Sequence, residues 1–244
     1  MKGMILAAGL GTRLHPITNN LPKALVKIGD TTLLEFAIRK LLYYGFDDII
    51  INIHHYPEMI IDFLNKNKNF GTSIILSDER DFLLDTGGGL KKASFFFNDN
   101  EPFIIYNCDI VTDINLQALY QYHIEQKSIG TLAIRERETS RYFLFNKDNN
   151  LCGWWNKKTG ERKPSDLNLK DLKPKAFSGI QIINPKALNL FPNDKVFSLI
   201  DFYLLIAPNY IIKGYDHTDT MWTDIGKPAE LKEMQSKNNL LSYL

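Results

Sequence analysis

The chain has 244 residues with 44% hydrophobic and 12% aromatic content, enough to bury a substantial core and to fit one large domain, or one domain with an embedded lobe. Its 29 Lys and Arg against 28 Asp and Glu leave a formal charge of +1, which excludes a general attraction for nucleic acid or anionic membrane and makes any anion binding local. No uninterrupted apolar stretch approaches a membrane span, because the run at 49–53 meets His54 and His55 and the run at 197–207 is broken by Asp201.

The chain opens on a short apolar strand that runs into a glycine turn, Leu6-Ala7-Ala8-Gly9-Leu10-Gly11-Thr12-Arg13. Small residues from Ala7 to Gly9 let the main chain approach a ligand, Gly9 and Gly11 can take positive φ, and consecutive N–H groups can then face an anion. Arg13 adds a planar cation that can bridge two phosphate oxygens; Lys23, after the stiffening Pro22, adds a mobile one. The apolar run is too short for a secretory leader and Arg13 closes it. Cys108 and Cys152 lack metal-ligand spacing, so reduced thiols in a cytoplasmic protein are expected. Two other glycine motifs compete for this turn. The Walker pattern needs Lys followed by Ser or Thr after its second glycine, where this chain has Thr12-Arg13. The dinucleotide fingerprint needs a third small residue where Leu14 stands, and neither Asp30 nor Glu35 ends a second strand.

Strand-like and helix-like segments then alternate, the pattern of a mostly parallel α/β sheet. Residues 32–44 place Leu33, Leu34, Ala37, Ile38, Leu41 and Leu42 at helical spacing, with Gly45 as the C-cap. A strand is expected at 48–53, a helix at 57–66, a strand at 73–77, a helix at 88–97 and a buried strand at 102–106. The second half is less regular. Segments 131–135, 143–146 and 151–155 read as antiparallel strands, with turns at 148–150 and 158–160. A strand at 177–183, a helix at 195–207, a strand at 210–215 and a closing helix at 228–241, with Pro228 in its first turn, complete the chain.

Asp109 follows a strand directly, so its carboxylate should emerge at the C-terminal edge of the sheet, where α/β proteins bind ligands. Asp113 reads as a cap for the helix that begins near 115. Met221-Trp222-Thr223-Asp224-Ile225-Gly226-Lys227-Pro228 repeats the arrangement, an acid between a strand-like stretch and a glycine turn. Two carboxylates from separate loops suit Mg²⁺, which takes hard oxygen ligands and keeps positions for water and phosphate. In Asp85-Thr86-Gly87-Gly88-Gly89-Leu90 the glycines leave room for a flat base or ribose, and the helix start offers free N–H donors. Trp154 and Trp155 face opposite sides of a strand, so at most one can stack on a sugar, and packing is the plainer reading for both. His54, His55 and His123 lack a matched ligand partner and read as structural.

The run from Leu6 to Thr18, with Leu21-Pro22-Lys23-Ala24-Leu25 following, resembles the signature of the sugar-phosphate nucleotidyltransferases: a glycine-rich turn, Gly-Thr-Arg-Leu, a proline two residues on, then a Pro-Lys pair. The resemblance implies a three-layer, Rossmann-like α/β fold of the GT-A-like kind, with a mostly parallel mixed sheet and a small antiparallel sugar-binding lobe. It implies one domain over 1–244, with a nucleotide-binding half at 1–130, a sugar-binding half at 131–220, and a metal-ligand loop and C-terminal helix at 221–244. The hexapeptide repeats that build the β-helix of many larger relatives are not seen here, so a bare catalytic domain is expected.

On the same resemblance Asp109 and Asp224 would hold Mg²⁺, although Lys227 stands where the family's Trp-x-Asp-x-Gly-Thr segment has Thr. Nucleotide contacts would fall on Ala7, Ala8, Gly9, Gly11, Thr12, Arg13, Lys23, Thr86, Gly87 and Gly88, and sugar contacts on Asn107, Arg141, Phe177, Ser178 and Gly179, with Asp78 and Glu79 as further candidates. The Glu-Lys-Pro segment of thymidylyl relatives is not recognisable; the nearest run, from Glu161 to Pro164, reads as a turn. The implied reaction joins a sugar 1-phosphate to the α-phosphorus of a nucleoside triphosphate with loss of pyrophosphate, served by Arg13, Lys23, Asp109 and Asp224. The acid-Thr-Gly-Gly-Gly run is similar to that of N-acetylmuramate-1-phosphate uridylyltransferases and favours UTP with that or a related hexose 1-phosphate. A GTP-dependent mannose- or heptose-1-phosphate guanylyltransferase shares every group named, and a silent nucleotide-sugar-binding regulatory protein should have lost one of the four charged residues. The expected partners are the two substrates alone, with no nucleic acid and no membrane, in a monomer or small homo-oligomer.

Overall fold

In the computed structural model, which describes residues 1–237 and 240–243, the opening apolar run forms β1 (Lys2–Leu6) at the middle of the sheet. A two-residue hairpin, β2 (Lys27–Ile28) and β3 (Thr31–Thr32), leads into α1 (Leu33–Tyr43). Thr32 caps that helix by accepting from the Glu35 amide at 3.1 Å, and Gly45 leaves it at φ 77°. The alternation continues with β4 (Asp48–Ile53), α2 (Pro57–Lys66), β5 (Ser73–Asp78), α3 (Asp85–Ala93), β6 (Phe103–Asn107), β7 (Ile110–Thr112), α4 (Leu116–Gln126) and β8 (Gly130–Arg135). The second half adds β9 (Arg141–Phe145), β10 (Leu151–Asn156), β11 (Arg162–Lys163), β12 (Lys173–Ile183), α5 (Leu199–Ile206), β13 (Ile212–Asp216), β14 (Trp222–Asp224) and α6 (Pro228–Gln235).

Strands β5, β4, β1 and β6 lie side by side and parallel. Next to β6 the long β12 runs antiparallel, and β8 and β13 beyond it restore the original direction. The eleven-residue β12 belongs to two sheets' worth of neighbours: its end from Ile180 pairs with β6, while Lys173 to Lys175 pair with β9 and start the antiparallel lobe β9–β10–β11. The fork is a bulge between Phe177 and Gln181 that contains Gly179 at φ 77°. Alternation along the strands feeds two apolar layers. On β1 and β6, Ile5, Ile104 and Tyr106 pack with α1, α2, α4 and α6, whereas Met4, Phe103 and Ile105 pack with α3, α5 and the lobe. Each fully buried aliphatic or aromatic side chain contributes about 1.5–3 kcal/mol, so both faces stabilise the sheet.

Several elements differ from their sequence reading for long-range reasons. The helix expected at 88–97 starts at Asp85, and the one expected at 195–207 starts at Leu199, capped by Ser198, because the preceding residues run across the start of α3. Segment 131–135 joins the main sheet as β8, not the lobe. Arg162 and Lys163, read as part of a turn, form the edge strand β11. The closing helix ends at Gln235; Asn238 and Asn239 lie outside the described residues, and a short 3-10 turn follows at Leu240–Tyr243. Asp113 does not cap α4: Asn115 does, accepting from the Ala118 amide at 2.9 Å. Among the described residues no helix is long and apolar enough to cross a membrane.

Candidate active site

The parallel strands end in register, Leu6 beside Asn52 on one side and Asn107 on the other, so the loop after β1 spills over the C-terminal edge of the sheet. Its first amide is used by the scaffold: Ala7 N–H donates to Asn52 Oδ1 at 2.8 Å, and Asn52 Nδ2 donates to buried Glu79 Oε1 at 2.8 Å. Burial pushes the Glu79 carboxyl above the usual range, with the Asn52 hydrogen bond opposing. Gly11 turns at φ 67°, and a Cβ there would lie 3.0 Å from Lys23 Cβ, so the glycine is what lets the Lys23 segment close on the loop. The result is a cleft of about 570 Å³ whose wall brings together Ala7, Ala8, Gly9, Gly11, Thr12, Arg13, Lys23, Thr86, Asn107 and Asp109.

At one end of this cleft the charged residues converge. Strand β14 pairs with β7, setting Asp224 opposite Ile110, and Ile225 N–H donates to the Asp109 carbonyl at 2.9 Å. The Asp109 carboxylate accepts from Lys23 Nζ. A Cβ on Gly226 would lie 3.0 Å from Arg13 Nη1, which puts the guanidinium directly on the turn that follows Asp224. Burial raises the Asp224 carboxyl above its ordinary range and the charge of Asp109 adds to this, while Lys23, Arg13 and Arg137 pull it back. Among the described residues, Asp224 Oδ1 is buried without a hydrogen-bond partner. An orphaned carboxylate oxygen beside a second carboxylate fits a hard divalent cation. The described residues offer no cluster of three or more His, Cys, Asp or Glu side chains, so such an ion would complete its shell with water and phosphate oxygen, as Mg²⁺ does.

The glycine run at the start of α3 is packed closely against the chain at 195–197. Gly87 and Gly88 N–H both donate to the Phe197 carbonyl, at 2.9 and 3.2 Å, so the donors expected to be free are already capped. A Cβ would lie 2.4 Å from the Phe197 ring at Gly87, 2.2 Å from the Lys195 carbonyl at Gly88, and 2.7 Å from Glu79 Oε1 at Gly89. The run therefore admits the chain at 195–197 and the Asn52–Glu79 pair. Thr86 lines the cleft, but its Oγ1 also accepts from Leu199 N–H at 3.0 Å.

The residues read as sugar contacts divide. Gly179 sits against Asn107, a Cβ there lying 3.0 Å from Asn107 Nδ2, so these two share one wall. Ser178 is fully buried and its hydroxyl bonds His217 Nε2 at 2.7 Å, which removes it from the cleft; its carbonyl instead accepts from Trp222 Nε1 at 2.9 Å. Phe177 packs on Phe143. Arg141 is exposed at the start of β9 and is not part of the cleft wall, because the fork carries β9 away from the parallel strands. Asp78 is taken up by Arg80. Asp113 Oδ1 accepts from Met221 N–H at 2.8 Å and so anchors the loop that delivers Asp224. His123 is buried among Thr131 and Ser128. Sequence reasoning missed Arg137, whose guanidinium lies 4.8 Å from the Trp222 ring centre, and His217; no local motif marks either.

Fold and cleft together define an α/β protein with a glycine-lined cleft, carrying Arg13, Lys23 and Asp109, at the C-terminal edge of its sheet. The chain belongs to the nucleotidyl transferase family, whose profile matches residues 2–239. It is 30% identical over 236 residues to the mannose-1-phosphate guanyltransferase of Kluyveromyces lactis, covering 94% of this chain and 62% of that protein. It is 29% identical over 242 residues to a UTP–glucose-1-phosphate uridylyltransferase of Synechocystis, covering 93% and 60%. The chain thus spans about three fifths of the length of the curated relatives it matches. The crystal structure of HddC from Yersinia pseudotuberculosis shares the fold, with a TM-score of 0.77 at 22% identity over 96% of this chain and 97% of that one.

Proposed function

We propose that this chain transfers a nucleotidyl group from a nucleoside triphosphate to a sugar 1-phosphate, working in the cytoplasm as a monomer or small homo-oligomer. The observation that carries the reading is the convergence of Arg13, Lys23, Asp109 and Asp224 on one end of the cleft. An oxygen of the sugar phosphate forms a bond to the α-phosphorus, the bond from that phosphorus to the bridging oxygen breaks, and its electron pair leaves with pyrophosphate. A phosphate monoester is already ionised at neutral pH, so no protein base is required, and the work is alignment and charge neutralisation. The glycine turn admits the triphosphate against bare backbone, Arg13 bridges phosphate oxygens, and Lys23, beside the Asp109 carboxylate, supplies a second cation. Asp109 and Asp224 would hold Mg²⁺, whose charge would offset that of the phosphates.

For the base, the acid-Thr-Gly-Gly-Gly run supports UTP by resemblance alone, since its three glycines also serve packing. The mannose-1-phosphate guanyltransferase relatives favour GTP with a mannose-like hexose 1-phosphate; the uridylyltransferase relative keeps UTP as the second reading. Pyrophosphate release from GTP, UTP, CTP and dTTP, each with mannose, glucose and N-acetylmuramate 1-phosphates, decides between them. The expected result is GTP turnover that falls about a hundredfold in Arg13→Ala and Lys23→Ala. Nucleotide binding with no turnover for any pair would leave the regulatory reading instead.

A further inference from the structure

A second cavity, of about 670 Å³, lies between the loop after β8 and strands β9, β10 and β12. Its wall carries four basic side chains, Arg137, Lys157, Lys173 and Lys175, and the acids Glu136 and Glu138. One side is aromatic. Trp155, half-buried, and the more deeply buried Tyr142 are cross-strand partners with ring centres 6.1 Å apart and planes 30° from parallel. The Tyr142 hydroxyl accepts from Thr139 N–H at 3.0 Å and donates to the Arg137 carbonyl at 3.3 Å, pinning the loop to this wall.

The cations of the wall are not equivalent. Lys175 is taken by Glu136 and Asp216 at 2.7 and 2.6 Å, and Lys157 faces Glu138 at 3.5 Å. Arg137 reaches the other way: its guanidinium lies over Trp222, two residues before Asp224, and its charge acts on the Asp224 carboxyl. Among the described residues the guanidinium has no hydrogen-bond or ion-pair partner, and the indole face orients it. Arg137 therefore joins the aromatic cavity to the carboxylate pair.

We propose that Arg137 binds the phosphate of the acceptor sugar 1-phosphate, with the sugar ring seated on Tyr142 and Trp155. This rests on the nucleotidyl-transfer reading. A guanidinium can hold two phosphate oxygens and leave the third to attack the α-phosphorus. Arg137 is exposed, so its replacement does not threaten the fold.

The test is steady-state kinetics of wild type, Arg137→Ala, Arg137→Lys and Trp155→Ala. Arg137→Ala should raise KM for the sugar 1-phosphate about ten- to hundredfold and leave KM for the nucleoside triphosphate within about twofold, with partial recovery in Arg137→Lys. Trp155→Ala should raise KM for the sugar 1-phosphate but not, in the reverse direction, KM for pyrophosphate. An unchanged KM for the sugar phosphate in Arg137→Ala, or an equal rise for both substrates, overturns the proposal. If wild type turns over no pair, the nucleotidyl-transfer reading has failed, and calorimetric titration with mannose 1-phosphate decides the acceptor site alone. Binding lost in Arg137→Ala supports it; equal binding in both proteins, or none in wild type, overturns it.

Discussion

Acid should unfold this protein through two buried histidines, in a window set by their surroundings. His123 and His217 are 2% and 4% exposed, and burial lowers both to about 4 from an ordinary 6.5. His217 is bonded to Ser178 and Thr220, with Arg135 disfavouring its charge and Asp216 favouring it. A lowered folded value means that the unfolded chain binds more protons, so stability is fully present above pH 6.5 and is lost as pH falls from there through about 4. At about 1.36 kcal/mol per pH unit, each ring withdraws about 3 kcal/mol over that range, and about 2 kcal/mol by pH 5. That is a large part of the 5–15 kcal/mol that holds a typical domain. Glu79 and Asp224, raised by burial, act in the opposite sense, so the difference between proteins is diagnostic rather than the raw slope. Urea unfolding followed by circular dichroism between pH 7.5 and 5 should show His123→Gln losing about 2 kcal/mol less than wild type, and His217→Gln likewise. Equal losses in all three proteins would refute the argument.

Three further outcomes follow from the site. Asp224→Asn removes charge from an orphaned buried oxygen beside Asp109, so in chelator-treated protein the thermal midpoint should rise by about 2 °C or more while kcat falls at least about a hundredfold. The midpoint gain that Mg²⁺ gives wild type should vanish in the same variant; a lowered midpoint without metal would contradict the account. Gly88→Ala drives a Cβ to 2.2 Å from the Lys195 carbonyl and should cost about 1–3 kcal/mol in urea titrations, whereas wild-type stability would show that 195–197 is not held there. Gly179→Ala puts a side chain at φ 77°, 2.9 Å from Ile110 Cγ1 and 3.0 Å from Asn107 Nδ2. It should lower kcat/KM about tenfold or more through displaced Asn107, and an unaltered value would place Asn107 outside the reaction.

What the sequence could reveal was whatever depends on neighbours within a few residues. The apolar run of β1, its glycine turn and Arg13 are contiguous, and Asp109 and Asp224 each follow a strand directly, so strand direction alone delivers them to one edge of the sheet. The helix at Leu33–Tyr43 carries its own cap and its own stop, and its limits were accordingly plain. The glycines at 87–89 look like a ligand turn because glycine reports only that something comes close. That the close partner is the chain at 195–197 follows from packing more than 100 residues away in sequence, as the Thr86–Leu199 bond shows.

Arg137 carries no local signal for the same reason. Arg137 lies in the loop between β8 and β9, a stretch with no regular pattern, whereas Arg141 opens β9 itself, and of the two it is Arg137 whose guanidinium lies over Trp222. The bulge at Gly179 makes the fork in β12, and its glycine also leaves the space that Asn107 fills. One irregularity in one strand thus shapes the lobe side of the cleft, while the regular parallel strands shape the side that carries the glycine turn. The lobe and the loop after β8 can therefore change without disturbing the glycine turn and its charged residues, because the two are set by different strands of the same sheet.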